Sequence, residues 1–525
     1  MNLASRILDG LPPGDSRPAI READGRIVSR DELRGFVAAL SRDLADRGFK
    51  KGDTVVIQAP TGAAFAAATI AVAALGGVAL LAEPGLGDEI YSKRLLVARP
   101  RWSLVHPVVL WSNRIPGARS LLASREILVP PVLPPGPNLT QMILSTRRLR
   151  KLTAGQTAVP VIEDMAPRDD VAIIFTGGST SLPKGVRLSH GSVSHTLDNI
   201  EALAADTGAE TLLADNPQQV LFGLVTGKEV LVTGGRIKRR AATVRKLIET
   251  GVAHAYFGSP FVWMEMMEQA GSSRPRLPGS LRSVFLGGAP VTPEFLRTLR
   301  DWLSPDTNVT VIYGLTEAGP VAEASDHEKL AWDGDGDLLG RVMPGTKARI
   351  DDNNEILLTG PTLFNGYIGQ DELPEGGAFA TGDLGRVDNR GGEELLVLAG
   401  RAKDMIIRAA VNIYPATLEA DLRAITDGDG SRILREVAMI GLWDEAKQDE
   451  VVVLCWQPIA DAKIDEAALR RSVRDVAGDA ANPDFMMKCD PLPVRGRLNK
   501  VDKAALRAEA AERFGLSPVP RGQRD

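Results

Sequence analysis

Cysteine is almost missing: Cys455 and Cys489 are the only two in 525 residues. A disulfide framework and a cysteine-ligated zinc site are thereby excluded, and so low a count suits a reducing, cytoplasmic setting. Histidine is scarce as well. His106, His190, His195, His254 and His327 show no H-x₃-H pairing, so each reads as a surface or hydrogen-bonded residue rather than a metal ligand. Long runs of one charge sign are also lacking. Lys and Arg number 62 against 67 Asp and Glu, a net charge of −5 carried by interspersed residues, which offers no nucleic-acid surface. The N-terminal stretch MNLASRILDGLPPGDSRPAI has no cationic start followed by an apolar run, so no signal peptide is read there. Internal repeats are absent, and Pro131 to Pro137 reads as a loop.

One uncharged run, Thr61 to Ala82 (TGAAFAAATIAVAALGGVALLA), has the length of a membrane span. Alanine dominates it, Gly76-Gly77 interrupts it, and its second part is strand-like. The pattern predicts a buried helix, a glycine turn and a central parallel strand, with no membrane span.

What is present is ordinary globular material in quantity. Hydrophobic residues make up 44% and charged residues 25%, and the length calls for two or three domains. SRDELRGFVAALSRDLADRG has helical spacing, a Ser29 start with Glu32 three residues on, and Gly48 as its stop. DTVVIQAP reads as a strand. Later, GVAHAYFGSP, LRSVFLGGAP and NVTVIYGLTE read as strands separated by helices. Strands with crossover helices predict an α/β fold built of doubly wound subdomains over residues 1–400. Around Gly340 the texture turns strand-dense and rich in Gly and Pro, predicting a small antiparallel or β-barrel-like subdomain over 340–400. A small α+β domain is expected over 401–525, with strands EVAMIGLWD and EVVVLCWQP after a helix near Ala416 to Ala424.

The chemistry begins at FTGGSTSLPKG, Phe175 to Gly185, after the strand-like VAIIF. A Walker loop is excluded, because Pro183 precedes Lys184, Gly185 follows it, and VRLSH after that is strand-like rather than helical. The loop is therefore expected to join two strands, or a strand and a sheet edge. Gly177 and Gly178 can form an anion nest, Thr176, Ser179 and Thr180 add hydroxyl donors, and Lys184 adds charge. A plain surface turn explains the same composition. Three further stretches shift the balance. VIYGLTEAGP places Tyr313, Thr316 and Glu317 beyond a strand end, where α/β proteins bind ligands. FATGDLGRVD puts Asp383 in a turn, and LPVRGRLNKVDKAAL carries an isolated Lys500.

In this order these segments resemble the adenylate-forming superfamily of acyl-CoA synthetases, luciferases and nonribosomal-peptide adenylation domains, over about Ile20 to Leu506. The resemblance implies activation of a carboxylic acid by ATP as an acyl-adenylate with loss of pyrophosphate, then transfer to a thiol, CoA or a carrier protein's phosphopantetheine. It implies that the glycine loop holds the β- and γ-phosphates, Thr316 the α-phosphate and Glu317 a Mg²⁺. Gly287-Gly288-Ala289-Pro290 matches the adenine segment, with Tyr313 and Gly314 against the purine. Asp383 matches the ribose-binding aspartate, and Arg401 reaches ribose or phosphate. Lys500 resembles the catalytic lysine of a mobile C-terminal domain, and Lys403 falls at the hinge. The acyl pocket is expected to involve Phe222, Gly223, Phe257, Gly258 and Gly287; its apolar residues fit a fatty or otherwise apolar acid.

The chain departs from the family pattern in three places. Ser181 stands where relatives usually carry glycine, and Gly177 where they carry serine. RAAVNIYP has Ala409 and Ala410 where relatives often have glycines lining the pantetheine tunnel. Gln219 and Val220 stand near the acyl gate, where relatives have an aromatic-histidine pair. LLAEPGLG near Ala82, with FGSP, LGGAPV and YGLTEAGPV, is similar in patches to the β-lactone synthetases of olefin biosynthesis. Two alternatives therefore stay open: adenylation of a β-hydroxy acid followed by lactone closure or amide formation without a thiol, and a nucleotide-binding protein without catalysis.

Overall fold

The computed structural model describes residues 2–81, 88–106, 140–143, 146–153, 159–176, 184–205, 207–233, 237–271, 274–409, 411–460, 462, 464–495 and 500–517. The chain divides into two compact units. The first comprises 1–326, 343–347 and 359–377, and the second 327–342, 348–358 and 378–525.

The uncharged run resolves as expected. Ala63–Ala74 is a helix whose residues are buried on every side except Thr69. A helix apolar all round belongs inside a core. Gly76 takes a φ of 67°, and a Cβ on Gly77 would meet the Phe49 ring at 2.4 Å, so the turn needs both glycines. Val78–Leu81 follows as a strand between two parallel neighbours, Thr54–Gln58 and Asp170–Thr176. Among the described residues no helix is long and apolar enough to cross a membrane.

These strands lie in a seven-stranded sheet ordered Gly366–Tyr367, Lys184–Ser189, Asp170–Thr176, Val78–Leu81, Thr54–Gln58, Trp102–Val105, Thr140–Ile143. The helix Arg30–Asp46 starts where sequence placed it, with Ser29 Oγ accepting from the Glu32 N–H. A second sheet in this unit carries the parallel strands Thr211–Ala214, Ala255–Gly258, Ser283–Gly287 and Asn308–Leu315 side by side. The helices Pro260–Ala270 and Pro293–Trp302 connect the last three, each with proline in its first turn. Asn308–Leu315 then turns back antiparallel as Gly319–Ser325.

In the second unit Glu355–Thr359, Phe379–Arg390, Glu393–Arg401 and Asp337–Val342 form an antiparallel run. One piece of the strand-dense stretch departs from that grouping. Gly366–Tyr367 pairs with Arg187 and Val186 in the first unit's seven-stranded sheet. Further on, Leu434–Asp444 and Asp449–Pro458 are antiparallel, with Phe485–Lys488 parallel to the latter. Alternate residues feed two cores. Val437, Met439, Val452 and Leu454 share one with Leu422 and Leu469, while Ala438, Ile440, Val451 and Val453 share the other with Leu506 and Ala510. Burial on both faces explains why these strands read as unbroken apolar runs.

Candidate active site

The strands Asp170–Thr176 and Lys184–Ser189 make the hairpin expected around the glycine loop, with Thr176 opposite Lys184. The loop's Gly177, Gly178, Ser179, Thr180 and Ser181 lie outside the described residues, and of Thr176 only the backbone is described. Lys184 is exposed, and its Nζ stands 5.1 Å from the centroid of the Tyr367 ring. That spacing is a cation–π contact. The strand Gly366–Tyr367 brings the ring there. Gly366 has a φ of 134°, and a Cβ on it would approach the Asp371 carbonyl oxygen to 2.9 Å, so a glycine is required just before the tyrosine.

Tyr367 reaches a second candidate residue. Its hydroxyl donates to Glu317 Oε1 at 2.8 Å. Glu317, 9% exposed, sits with Thr316 in the turn between Asn308–Leu315 and Gly319–Ser325. Its carbonyl accepts from the Phe364 N–H at 2.8 Å, and the Phe364 ring meets Tyr367 edge-on at 4.9 Å. Burial first, then the Glu317 charge and the hydrogen bond, push the Tyr367 hydroxyl well above its ordinary phenolic value. Tyr367 therefore stays a donor across the physiological range. Sequence reasoning missed this residue; the signal was the glycine-tyrosine pair in NGYIG.

Tyr313 and Gly314 lie at the end of their strand, inside its last three residues, rather than beyond it. A Cβ on Gly314 would come within 2.6 Å of the Gly319 carbonyl oxygen, which fixes glycine at this tight return. On the neighbouring parallel strand Gly287 is the last residue, and Gly288 (φ 78°), Ala289 and Pro290 leave its end. These two segments therefore share the carboxyl edge of the parallel sheet, the place where open α/β sheets take ligands.

Phe222 and Phe257 line a partly open apolar cleft together with Ile200, Leu212, Phe285 and Ile312. The three glycines expected in the acyl pocket permit close packing around it. A Cβ on Gly223 would meet Val230 at 2.4 Å, one on Gly258 would meet the Tyr256 ring at 2.4 Å, and one on Gly287 would meet the Ile312 carbonyl oxygen at 2.9 Å and Phe257 at 3.3 Å. Gln219 and Val220, expected near a gate, are both buried. Val220 belongs to the core, and Gln219 ties two strand ends: its Oε1 accepts from the Asp215 N–H at 2.8 Å and its Nε2 donates to the Phe257 carbonyl at 2.7 Å.

In the second unit Asp383 and Arg401 face each other across an antiparallel pair. Asp383 is 1% exposed, and Arg401 Nε lies 2.9 Å from its Oδ1. Lys403 lies in the 3-10 turn Ala402–Asp404, and its carbonyl accepts from Arg507 at 3.4 Å. Burial raises the Asp404 carboxyl, but the Lys503, Arg507 and Lys403 charges and the Arg507 hydrogen bond outweigh it and hold it below its ordinary value. Ala409 takes a φ of 49° in the turn after Ile406–Arg408, a left-handed position that favours glycine; Ala410 lies outside the described residues. Lys500 opens the short strand Lys500–Val501 opposite Arg495. Among the described residues no group of three His, Cys, Asp or Glu side chains is placed to hold a metal ion.

Residues 13–368 match the family model of the AMP-binding enzyme. The chain belongs to the AMP-binding enzyme family of adenylate-forming ligases. Among curated relatives of this AMP-binding enzyme, a 3-[(3aS,4S,7aS)-7a-methyl-1,5-dioxo-octahydro-1H-inden-4-yl]propanoyl:CoA ligase of Rhodococcus jostii is 29% identical over 61% of this chain and 64% of its own length. The 4-coumarate–CoA ligase CCL1 of Humulus lupulus is 25% identical over 97% of this chain and 94% of its own. Among solved structures, ATP-bound MatB from Rhodopseudomonas palustris superposes with a TM-score of 0.78 at 22% identity, covering 98% of this chain and 99% of its own. At that identity the superposition speaks for the fold of this AMP-binding enzyme.

Proposed function

We propose that this enzyme activates an apolar-chained carboxylic acid with ATP as an acyl-adenylate, releases pyrophosphate, and passes the acyl group to a thiol, CoA or a carrier-protein phosphopantetheine. The observation that carries this reading is the Lys184–Tyr367–Glu317 arrangement, an exposed ammonium and a buried carboxylate held on two sides of one tyrosine. A carboxylate attacking the α-phosphate meets a polyanion, so charge neutralisation and positioning supply most of the catalysis. Lys184 brings one positive charge to the β- and γ-phosphates, beside N–H groups of the glycine loop. Thr316 donates to the α-phosphate. Gly288, Ala289, Pro290 and Tyr313 take the adenine.

Glu317 fits a Mg²⁺, which is commonly bound by one or two carboxylates with waters and substrate phosphates completing its shell. Tyr367 occupies one of its carboxylate acceptor sites and leaves the others for such a partner. When bound, the ion offsets phosphate charge. Asp383, oriented by Arg401, accepts from the ribose hydroxyls; a carboxylate takes two such bonds naturally. Lys500 supplies a second cation to the reacting carboxylate. The domain assignment accompanies this: 1–400 as the adenylating part, and 401–525 as a mobile domain turning at Lys403. The apolar cleft lined by Phe222 and Phe257 receives the acyl chain. A cytosolic setting accords with two free, buried cysteines.

The test is a panel of carboxylic acids with ATP and Mg²⁺, with and without CoA, the products read by mass spectrometry. AMP, pyrophosphate and a thioester are expected. A lactone or amide without CoA would replace the thiol step, and absence of any acid-dependent pyrophosphate would end the adenylation reading.

A further inference from the structure

The turn around Lys403 is gripped by one side chain from the last helix. Arg507 Nη2 donates to Asp404 Oδ1 at 3.0 Å and to the Lys403 carbonyl at 3.4 Å. Its Nε is buried without a partner among the described residues, so the grip runs through a single nitrogen. An exposed ion pair would hold little. Here the arginine and aspartate side chains are only 25% and 21% exposed, and the cations around Asp404 keep it ionised despite its burial. The helix that supplies Arg507 is itself fixed. Lys503–Phe514 opens on Asp502, whose side chain accepts from the Ala504 and Ala505 N–H groups. Lys503, about one turn before Arg507, pairs with Glu419 at 2.7 Å, and Leu506 and Ala510 are buried in one core. The strand Lys500–Val501 runs straight into that cap, and the Asp502 N–H donates to the Pro493 carbonyl at 2.8 Å. The backbone carrying Lys500 and the guanidinium on the turn therefore belong to one body.

Torsions decide what such a grip does. The peptide between Lys403 and Asp404 is planar, so the Lys403 carbonyl moves with whatever follows it. Turning about φ and ψ of Lys403 leaves both Arg507 bonds whole. Turning about φ of Asp404 swings its side chain away from that carbonyl, and turning about its ψ carries Arg507 away from both. One guanidinium on the two acceptors thus locks Asp404 and leaves Lys403 free. The Met405 N–H bonds, to the Arg401 carbonyl at 2.9 Å and the Ala402 carbonyl at 3.3 Å, straddle Lys403 and are the ones that part when the chain turns there.

We propose that Arg507 is a positioning residue: by fixing Asp404 it confines the swing of the 401–525 domain to Lys403, and so brings Lys500 to the reacting groups in one orientation. A few torsions absorb a domain rotation, and which ones do so sets where a distant side chain arrives. This rests on the adenylation reading above and on the turn at Lys403 proposed with it.

The test uses the full chain with Arg507→Ala, Arg507→Lys and a matched control. The control, Arg423→Ala, breaks a similarly shielded pair with Glu436, 25% and 31% exposed, in the same unit. Backbone hydrogen exchange over 402–408 should quicken about 10-fold or more in Arg507→Ala, the effect of losing a hydrogen bond to a charged group. It should stay at the wild-type rate in Arg423→Ala and close to it in Arg507→Lys, whose ammonium has protons for both acceptors. For acid-dependent pyrophosphate release, kcat should fall about 10-fold in Arg507→Ala with KM for ATP within about twofold, and Arg507→Lys should recover most of the loss. Unchanged exchange, faster exchange with a normal kcat, or a loss of kcat that Arg423→Ala reproduces each overturns the proposal. Should Arg507→Ala not fold, Asp404→Asn weakens the same pair and is read in the same way. If no acid elicits pyrophosphate from folded wild type, the adenylation reading has failed and takes the delivery of Lys500 with it, while the exchange rates still decide whether Arg507 holds the turn.

Discussion

The candidate site residues of the two units hold charge in opposite ways. In the first, the candidate site keeps its cation and its carboxylate apart: Lys184 rests over the Tyr367 ring and Glu317 takes the tyrosine hydroxyl. Buried His190 in the same unit is held neutral, with its Nδ1 accepting from the Leu3 N–H at 3.0 Å. The second unit pairs opposite charges directly, Arg401 with Asp383 at 2.9 Å, Arg507 with Asp404 at 3.0 Å and Lys503 with Glu419 at 2.7 Å. Charges kept apart remain available to a ligand of either sign, whereas paired charges are already satisfied and mainly orient one another. The proposed phosphate binding draws on the first arrangement and the proposed ribose recognition on the second.

Substitutions at five residues would break or sharpen that contrast. Glu317→Gln should have the largest effect, lowering the rate of pyrophosphate release about 10²- to 10³-fold, the usual loss when one transition-state electrostatic partner goes; a near-normal rate would put the cation-binding role elsewhere. Next comes His190. Burial depresses its pKa to about 4 from 6.5, so the unfolded chain binds the proton more readily. This contribution to stability is full above pH 6.5 and lost as pH falls from 6.5 toward 4, about 3 kcal/mol in all. Urea unfolding followed across that range should show the slope in wild type and lose it in His190→Asn.

Arg401→Ala should cost about 2 kcal/mol, below the ~3–5 of a fully buried pair because the arginine side chain is 45% exposed and partly screened. It should destabilise more than Asp383→Ala, since it leaves the deeply buried partner behind; equal losses measured by denaturant melts would refute the asymmetry. The smallest effect belongs to Tyr367→Phe, which keeps the ring under Lys184 and removes the bond to Glu317. About 1 kcal/mol, a several-fold loss in kcat/KM for ATP, is expected. A further loss in Tyr367→Leu would separate the ring's contribution from the hydroxyl's.

Much of this was readable in advance. The alanine-rich helix, its glycine turn and the strand after it followed from composition, because burial on all sides leaves no polar face to misread. The hairpin carrying Lys184 followed from alternation in VRLSH. Tyr367 did not, since it lies 50 residues from Glu317 in sequence and meets it only through a two-residue strand. Asp383 and Arg401 stood out by resemblance, but their facing positions depend on strand register. Gln219 was noticed only as a departure. Its role as a tie between strand ends is set by Asp215 and Phe257, which no local pattern connects.

The short strand Gly366–Tyr367 has a consequence for how this chain tolerates change. Neighbouring side chains on a strand point to opposite faces, so losing or gaining one residue in the segment leading into Gly366 would turn the tyrosine away from both of its contacts. Two residues thus hold the frame of reference for groups far apart along the polypeptide. Length variation should be tolerated in many surface connections of this protein and selected against in that one.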